Sequence, residues 1–316
     1  MLMSVAPTVM LPLSADSDTD PMSQLILSYS FAPVGNSMRE AFLLHRLAPS
    51  SEKSWFSSIL IGNFTAPFGL LTDEHRTYTR QMVAMTNRNF ESGAVLSGDP
   101  SYLVHYDLAI SSGFSNGGAG TNTQPNSWAS FAHIRHQVGA IPLHIGLSGA
   151  LAGTSSAKEN LTAASLYGVL TLDQYTAPLF HGNIQMEAVT ASGWNNSAFG
   201  TTSGDGIGYF IPSTATTWQT ALTDSRSLGI TTLVAWELNR KWTLQYKREL
   251  FVPDTNFNGD YFYRNGGGFK YFFGATGSVT IRYDRGEVTR PGLTKADLAG
   301  SKAVGETYFA LLHLWL

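Results

Sequence analysis

The 316-residue sequence predicts an all-β chain folded as a transmembrane antiparallel β-barrel of about 14 strands, with short turns at one end and long loops at the other. Three observations carry this. Apolar and polar residues alternate with period two over segments of roughly nine to eleven residues, the length a tilted strand needs to cross a bilayer. The connections between these segments alternate short and long. No apolar run approaches the roughly 20 residues of a spanning helix, so a helical membrane protein is excluded.

The segments are read in order. Residues 23–32 place Leu25, Leu27, Tyr29 and Phe31 on one face and Gln24, Ser28 and Ser30 on the other. Segments 40–48, 54–65 and 91–98 follow. Residues 100–113 set Tyr102, Val104, Tyr106, Leu108 and Ile110 against His105, Asp107 and Ser111. Then come 127–138, 142–152, 163–173 and 179–191, the last opposing Ile184, Met186 and Ala188 to Asn183, Gln185 and Glu187. Segment 228–238 precedes 241–251, where Trp242, Leu244, Tyr246 and Leu250 face away from Thr243, Gln245, Lys247 and Glu249. Segments 262–273, 277–285 and 304–316 complete fourteen. Short connections fall after every second strand, as a barrel requires if short turns face the periplasm and long loops face outside. The stretch 192–226 holds pieces at 206–211 and 216–222 that would make sixteen strands if they paired. They are too short to span and read as an extracellular loop or an inward plug.

A soluble β-sandwich also alternates, but its strands average about five to six residues. Here Trp55, Tyr102, Trp128, Trp242 and Tyr308 stand at strand ends, where aromatic rings line membrane interfaces. Composition agrees. Charged residues are 14%, against roughly 25% in soluble domains. A net charge of -3 offers no basic face for nucleic acid. The absence of cysteine removes disulfides, thiolate chemistry and zinc–thiolate sites, and suits passage through an oxidising periplasm. These features place the chain in the bacterial outer membrane, in contact with its lipid, as a single barrel domain over 23–316. Residues 1–22 lie before it. They lack the basic residue of a signal n-region and read as either a signal remnant or a periplasmic extension.

Residues 59–70 (ILIGNFTAPFGL), 91–98 (ESGAVLSG) and 106–117 (YDLAISSGFSNG) resemble the phosphate-selective porin O/P family, in which a strand ends in a Gly-x-Phe-x-x-Pro-Phe-Gly turn and later strands carry similar glycine-rich ends. The resemblance implies a porin-like barrel, passive diffusion of small polar solutes or ions, no enzymatic chemistry and no cofactor. The chain departs from that family's sixteen strands. It also lacks a lysine cluster, its seven lysines being scattered from Lys53 to Lys302, so phosphate selectivity is not carried over. Residues 114–117 and 126–128 are similar to outer-membrane phospholipases, but Gly113 stands where their catalytic histidine would be, and a hydroxyl without a base is not activated. His133 and His136 lie three apart on a strand and point to opposite faces.

The densest polar stretch is residues 72–80, inside the 66–90 loop. Asp73, Glu74, Arg76, Arg80 and Arg88 are its candidate constriction residues, able to set pore size and field if the loop folds into the lumen. Otherwise the stretch is a short surface helix. Asp107, Glu187, Lys247, Glu249 and Arg282 are candidate lumen-wall residues facing it. Apolar Leu233, Phe272, Phe309 and Leu311 share the inward parity. This mixed interior sets two expectations against each other: a narrow diffusion channel, or a non-conducting structural barrel that acts through homo-oligomeric self-association, with outward Gly149 and Gly168 permitting close approach.

Overall fold

The structure is a computed structural model. It describes residues 8–15, 21–32, 35–49, 52–70, 77–83, 85, 90–112, 127–139, 141–154, 161–172, 181–193, 210, 226–255, 261–274, 277–289, 301 and 303–314. Fifteen strands follow one another: β1 (Thr8–Ala15), β2 (Pro21–Ala32), β3 (Gly35–Arg46), β4 (Ser54–Thr65), β5 (Phe90–Ser101), β6 (Val104–Ser111), β7 (Ser127–Gln137), β8 (Leu143–Thr154), β9 (Leu161–Leu172), β10 (His181–Ser192), β11 (Arg226–Glu237), β12 (Trp242–Val252), β13 (Tyr261–Phe272), β14 (Gly277–Thr289) and β15 (Gly305–Leu314). Among the described elements a short helix, α1 (Tyr78–Gln81), lies between β4 and β5. Consecutive strands pair antiparallel in chain order throughout one sheet. No described helix is long and apolar enough to cross a membrane.

Each of the fourteen strands read from alternation appears, as β2 to β15. The additional strand is β1, so the sheet begins at Thr8 and residues 1–22 are not wholly an extension outside it. β1 escapes the alternation rule because VMLPL is apolar on both faces, with Val9, Met10, Leu11 and Leu13 all exposed. Its Pro12 cannot donate to a ladder, and the register shifts directly after it, as befits a terminal strand. The fifth and sixth strands also meet later than read. Ser101 pairs with Val104 after a register shift, so Tyr102 and Leu103 form the turn. Pieces 206–211 and 216–222 lie outside the described residues, Phe210 excepted.

Burial follows the pleat. Along β9, Leu161, Ala163, Ser165 and Tyr167 are buried, while Thr162, Ala164 and Leu166 are exposed. Outward positions carry Leu147, Leu166, Met186, Leu244 and Ile281, each an exposed apolar side chain. In water this belt would be a very large apolar surface; in a bilayer it is the solvated face. Inward positions of β6 to β10 toward the long-loop end are small: Ala109, Ala129, Ala150, Ala152, Ala163 and Ala191. Small inward side chains leave volume inside the sheet, and that volume is occupied. Phe68, Tyr78, Met82, Val83 and Met85, all from the segment between β4 and β5, are buried inside the sheet, with the α1 turn resting on β10 to β12. Burying a side chain of this size stabilises by roughly 1.5–3 kcal/mol.

Candidate functional site

The segment after β4 reaches into the barrel because the wall satisfies its backbone. Phe68 closes a tight turn through its N–H to the carbonyl of Ala66 at 2.8 Å. The Gly69 N–H then donates to Ser148 Oγ on β8 at 2.8 Å, and the Leu70 N–H to Glu187 Oε1 on β10 at 2.9 Å. Further along, the Tyr78 N–H donates to Glu249 Oε1 on β12 at 2.8 Å, and Thr79 Oγ1 to Glu187 Oε2 at 2.8 Å. The Tyr78 hydroxyl donates to the carbonyl of Ala303, just before β15, at 2.7 Å. One stretch of chain therefore touches the wall from β8 to the approach of β15, which requires that wall to curve around it.

Two glycines permit the approach. Gly69 has φ of 61°, and a Cβ there would collide with the Glu187 carboxylate. A Cβ at Gly229 of β11 would strike Met82 Sδ, so the α1 turn rests directly on strand backbone. A second segment meets the first. Phe210 is fully buried, its ring 5.1 Å from that of Tyr78 and 3.9 Å from that of Phe251. Its carbonyl accepts from Ser301 Oγ at 2.7 Å. Parts of three long connections thus meet inside the sheet beside β12 and β13.

Charge under this plug is paired. Glu249 Oε2 lies 3.2 Å from Lys247 Nζ and 2.5 Å from Arg264 Nη2. Lys247 Nζ reaches Asp284 Oδ2 at 3.2 Å, and Arg282 grips Asp284 with Nε at 2.8 Å and Nη2 at 3.0 Å. The result is an alternating chain, Arg264–Glu249–Lys247–Asp284–Arg282, with every member buried. Register explains it: Glu249 sits opposite Arg264, and both Lys247 and Asp284 face Gly266, whose missing side chain leaves them room. Removing one partner of a buried pair costs about 3–5 kcal/mol, so the chain fixes this wall. The ends rest on rings, Arg264 4.6 Å from the Tyr78 centroid and Arg282 5.2 Å from that of Phe309.

A second polar cluster lies on β5 to β9. His105 bridges Asp99 at 2.7 Å and Asp107 at 3.1 Å; His133 meets Asp107 at 3.3 Å and the Tyr167 hydroxyl at 2.8 Å. Ser97 Oγ donates to Asp107 at 2.6 Å. Near the short-turn end a cavity of about 390 Å³ opens between Glu52, Lys53, Asp99, His105, Arg135 and His144. Among the described residues no group of three or more His, Asp or Glu is arranged to hold a metal.

Of the five candidate constriction residues, Asp73, Glu74, Arg76 and Arg88 lie outside the described residues. Arg80 is buried, not turned to open lumen. Its Nε donates to the carbonyl of Leu70 at 3.2 Å, tying the loop to itself. Burial pulls its guanidinium down from its ordinary pKa, with Glu187 opposing. The wall residues divide. Glu187 and Glu249 hold the loop by accepting its backbone N–H and hydroxyl groups. Lys247 and Arg282 belong to the buried charge chain. Asp107 is taken up by the two histidines and does not face the loop. The serines that complete the berth, Ser148 and Ser165, were missed by a search for charge. The signal that could have found them is the run of Ala, Ser and Gly at inward positions of 143–154 and 161–172.

The fold resembles solved bacterial outer-membrane structures. The anion-selective porin from Comamonas acidovorans superposes with a TM-score of 0.55 at 8% identity, covering 93% of this chain and 81% of that one. The outer-membrane channel DcaP of Acinetobacter baumannii gives 0.54 at 10% identity, covering 84% and 74%. The outer-membrane protein OmpT of Vibrio cholerae gives 0.53 at 12% identity, covering 97% and 85%. No family model and no curated protein sequence matches the chain. At these identities the likeness is one of fold, and that fold is the integral outer-membrane β-barrel of porin type. The resemblance to phosphate-selective porins rests on its quoted motifs alone.

Proposed function

We propose that the protein is a passive, non-enzymatic diffusion channel for small polar solutes or ions, with a narrow lumen set by the inward segment between β4 and β5. The observation that carries this is the anchoring of Gly69, Leu70, Tyr78 and Thr79 on Ser148, Glu187 and Glu249. A loop pinned to the inner wall reduces the bore without closing the side it does not touch, and the His105–Asp107–His133 cluster and the short-turn cavity lie away from the plug. The candidate constriction residues Asp73, Glu74, Arg76 and Arg88 are carried on the same loop and would set its field. No cofactor enters this reading.

A second reading has one observation in its favour. The packing of Tyr78, Phe210, Phe251 and Phe262 is buried and aromatic, as in a structural barrel that conducts little and acts by self-association. Swelling of proteoliposomes in isotonic sugars of graded size separates the two. The channel reading expects swelling with the smallest sugars and a sharp cut-off as size rises. No swelling with any solute, from protein shown to be folded, would leave only the structural reading.

A further inference from the structure

The cavity near the short turns carries charges that the loop berth does not use. Asp99 comes from β5, His105 from β6, Arg135 from β7 and His144 from β8, while the turn between β3 and β4 brings Glu52 and Lys53. A volume of about 390 Å³ suits a small molecule. Pleat and register build the wall. His105 and Asp107 lie two apart on one face of β6, and His105 stands opposite Arg135 across the ladder to β7. Where the β5–β6 register shifts between Gly98 and Ser101, Asp99 reaches His105 Nδ1 at 2.7 Å.

Some of these groups are already engaged. His105 turns Nδ1 to Asp99 and Nε2 to Asp107 Oδ1, 3.1 Å away. A carboxylate only accepts, so both ring nitrogens donate and the ring is an imidazolium. Asp107 also accepts from Ser97 and His133, whereas the Asp99 side chain is 45% exposed. Arg135 is exposed and makes no hydrogen bond or ion pair among the described residues. Lys53 Nζ lies 4.4 Å from the Tyr102 ring centroid. Glu52, Asp99 and Asp107 thus balance Lys53, His105 and Arg135, three charges of each sign. A simple anion or cation finds no net attraction there. The signs are nevertheless held apart. Asp99 and Arg135 stand two strands from each other, about 10 Å between backbones, with His105 between them, and they do not pair.

We infer that this cavity binds a small zwitterion whose ammonium and carboxylate are joined by a short chain, the carboxylate on Arg135 and the ammonium on Asp99. The guanidinium presents a planar fork that matches a carboxylate. Asp99 keeps acceptor positions beyond the one that His105 occupies. A molecule with both charges answers both groups at once, and a molecule with one leaves the other group unanswered. Because Asp99 and Arg135 flank His105 without touching, an α-amino acid is too short to reach both. The role of the site rests on the channel reading: at the short-turn mouth it makes zwitterions of this length the solutes that the channel passes. The binding itself does not require conduction.

The test is ligand-observed NMR on the full-length protein in detergent, titrated in turn with glycine, 4-aminobutanoate, 6-aminohexanoate, acetate and butylammonium. At least one of the two longer amino acids is expected to bind saturably and about tenfold tighter than glycine or either singly charged probe, the worth of one more charge-assisted hydrogen bond. In Arg135→Gln that ligand is expected to bind no tighter than butylammonium, and in Asp99→Asn no tighter than acetate, with folding checked by heat-modifiable gel migration. Should Asp99→Asn fail to fold, the length series on wild type and the exposed Arg135→Gln decide. Acetate bound as tightly as the longer amino acids would make the cavity an anion site and overturn the proposal. Equal affinity along the length series would overturn it too, as would binding that Arg135→Gln leaves unchanged. Proteoliposome swelling is measured on the same preparations. Swelling with sugars but no zwitterion binding would overturn this site and leave the channel reading intact, whereas the expected binding without swelling upholds the site while the channel reading fails.

Discussion

Glu187 is the residue on which the interior depends. Its two oxygens accept from Leu70 N–H, Thr79 Oγ1 and Ser165 Oγ at 2.8–2.9 Å, and Gly69 lies against it where no Cβ would fit. Hydrogen bonds to a charged group contribute about 1.5–3 kcal/mol each, and the donors left behind in Glu187→Ala are buried. That substitution is expected to destabilise the protein by about 3–5 kcal/mol and to free the loop before the barrel melts. Hydrogen exchange then rises at Leu70 and Tyr78–Met82 by orders of magnitude while the β9–β10 ladder amides stay protected. Equal loss of protection in loop and ladder would mean that Glu187 holds the barrel, not the loop. At this scale the sequence was partly legible. An acid at an inward strand position announces a polar partner, so Glu187 and Glu249 could be picked. What they bind could not, because a backbone N–H from more than a hundred residues away leaves no mark in the sequence.

Among the elements, alternation located β2 to β15 because each strand has one face on lipid and one on the interior, and period two is the direct imprint of that difference. β1 was illegible for the converse reason: at the end of the ladder neither of its faces is sorted. The placement of the 66–90 loop was legible only as one of two options, since the berth that receives it is made from Ser148, Ser165, Glu187 and Glu249 on four other strands. Parity makes a sharp prediction. Leu147 on β8 is outward and exposed, whereas Gln245 on β12 is inward, on the face of Lys247 and opposite Ala235. Leu147→Arg is expected to cost about 2–4 kcal/mol in folding free energy, read from urea titrations of folding into vesicles. Gln245→Arg, on the inward face, is expected to cost less than about 1 kcal/mol. Similar costs for the two would mean that the faces are exchanged.

For the whole molecule, the interior is divided. The long-loop half beside β10 to β14 is filled by segments from three connections, an aromatic cluster and a buried chain of five charges. The β5 to β9 wall toward the short turns keeps its histidines, acids and Arg135 in a polar, more open setting. The first residues of the loop meet the small inward residues of β8 and β9, its α1 turn rests on β10 to β12, and the histidine cluster lies on β5 to β9 toward the short turns. On the proposed channel reading, solutes pass through what the plug leaves free, and the 66–90 loop sets the bore. Single-channel recording in planar bilayers, comparing the intact chain with one lacking residues 72–80, tests this most directly. The account predicts small, stable unitary currents from the intact protein and a several-fold larger unitary conductance from the deletion, with the opening size unchanged in how it depends on solute charge elsewhere on the wall. Identical unitary conductance from two well-folded proteins would contradict it and put the constriction in another part of the barrel.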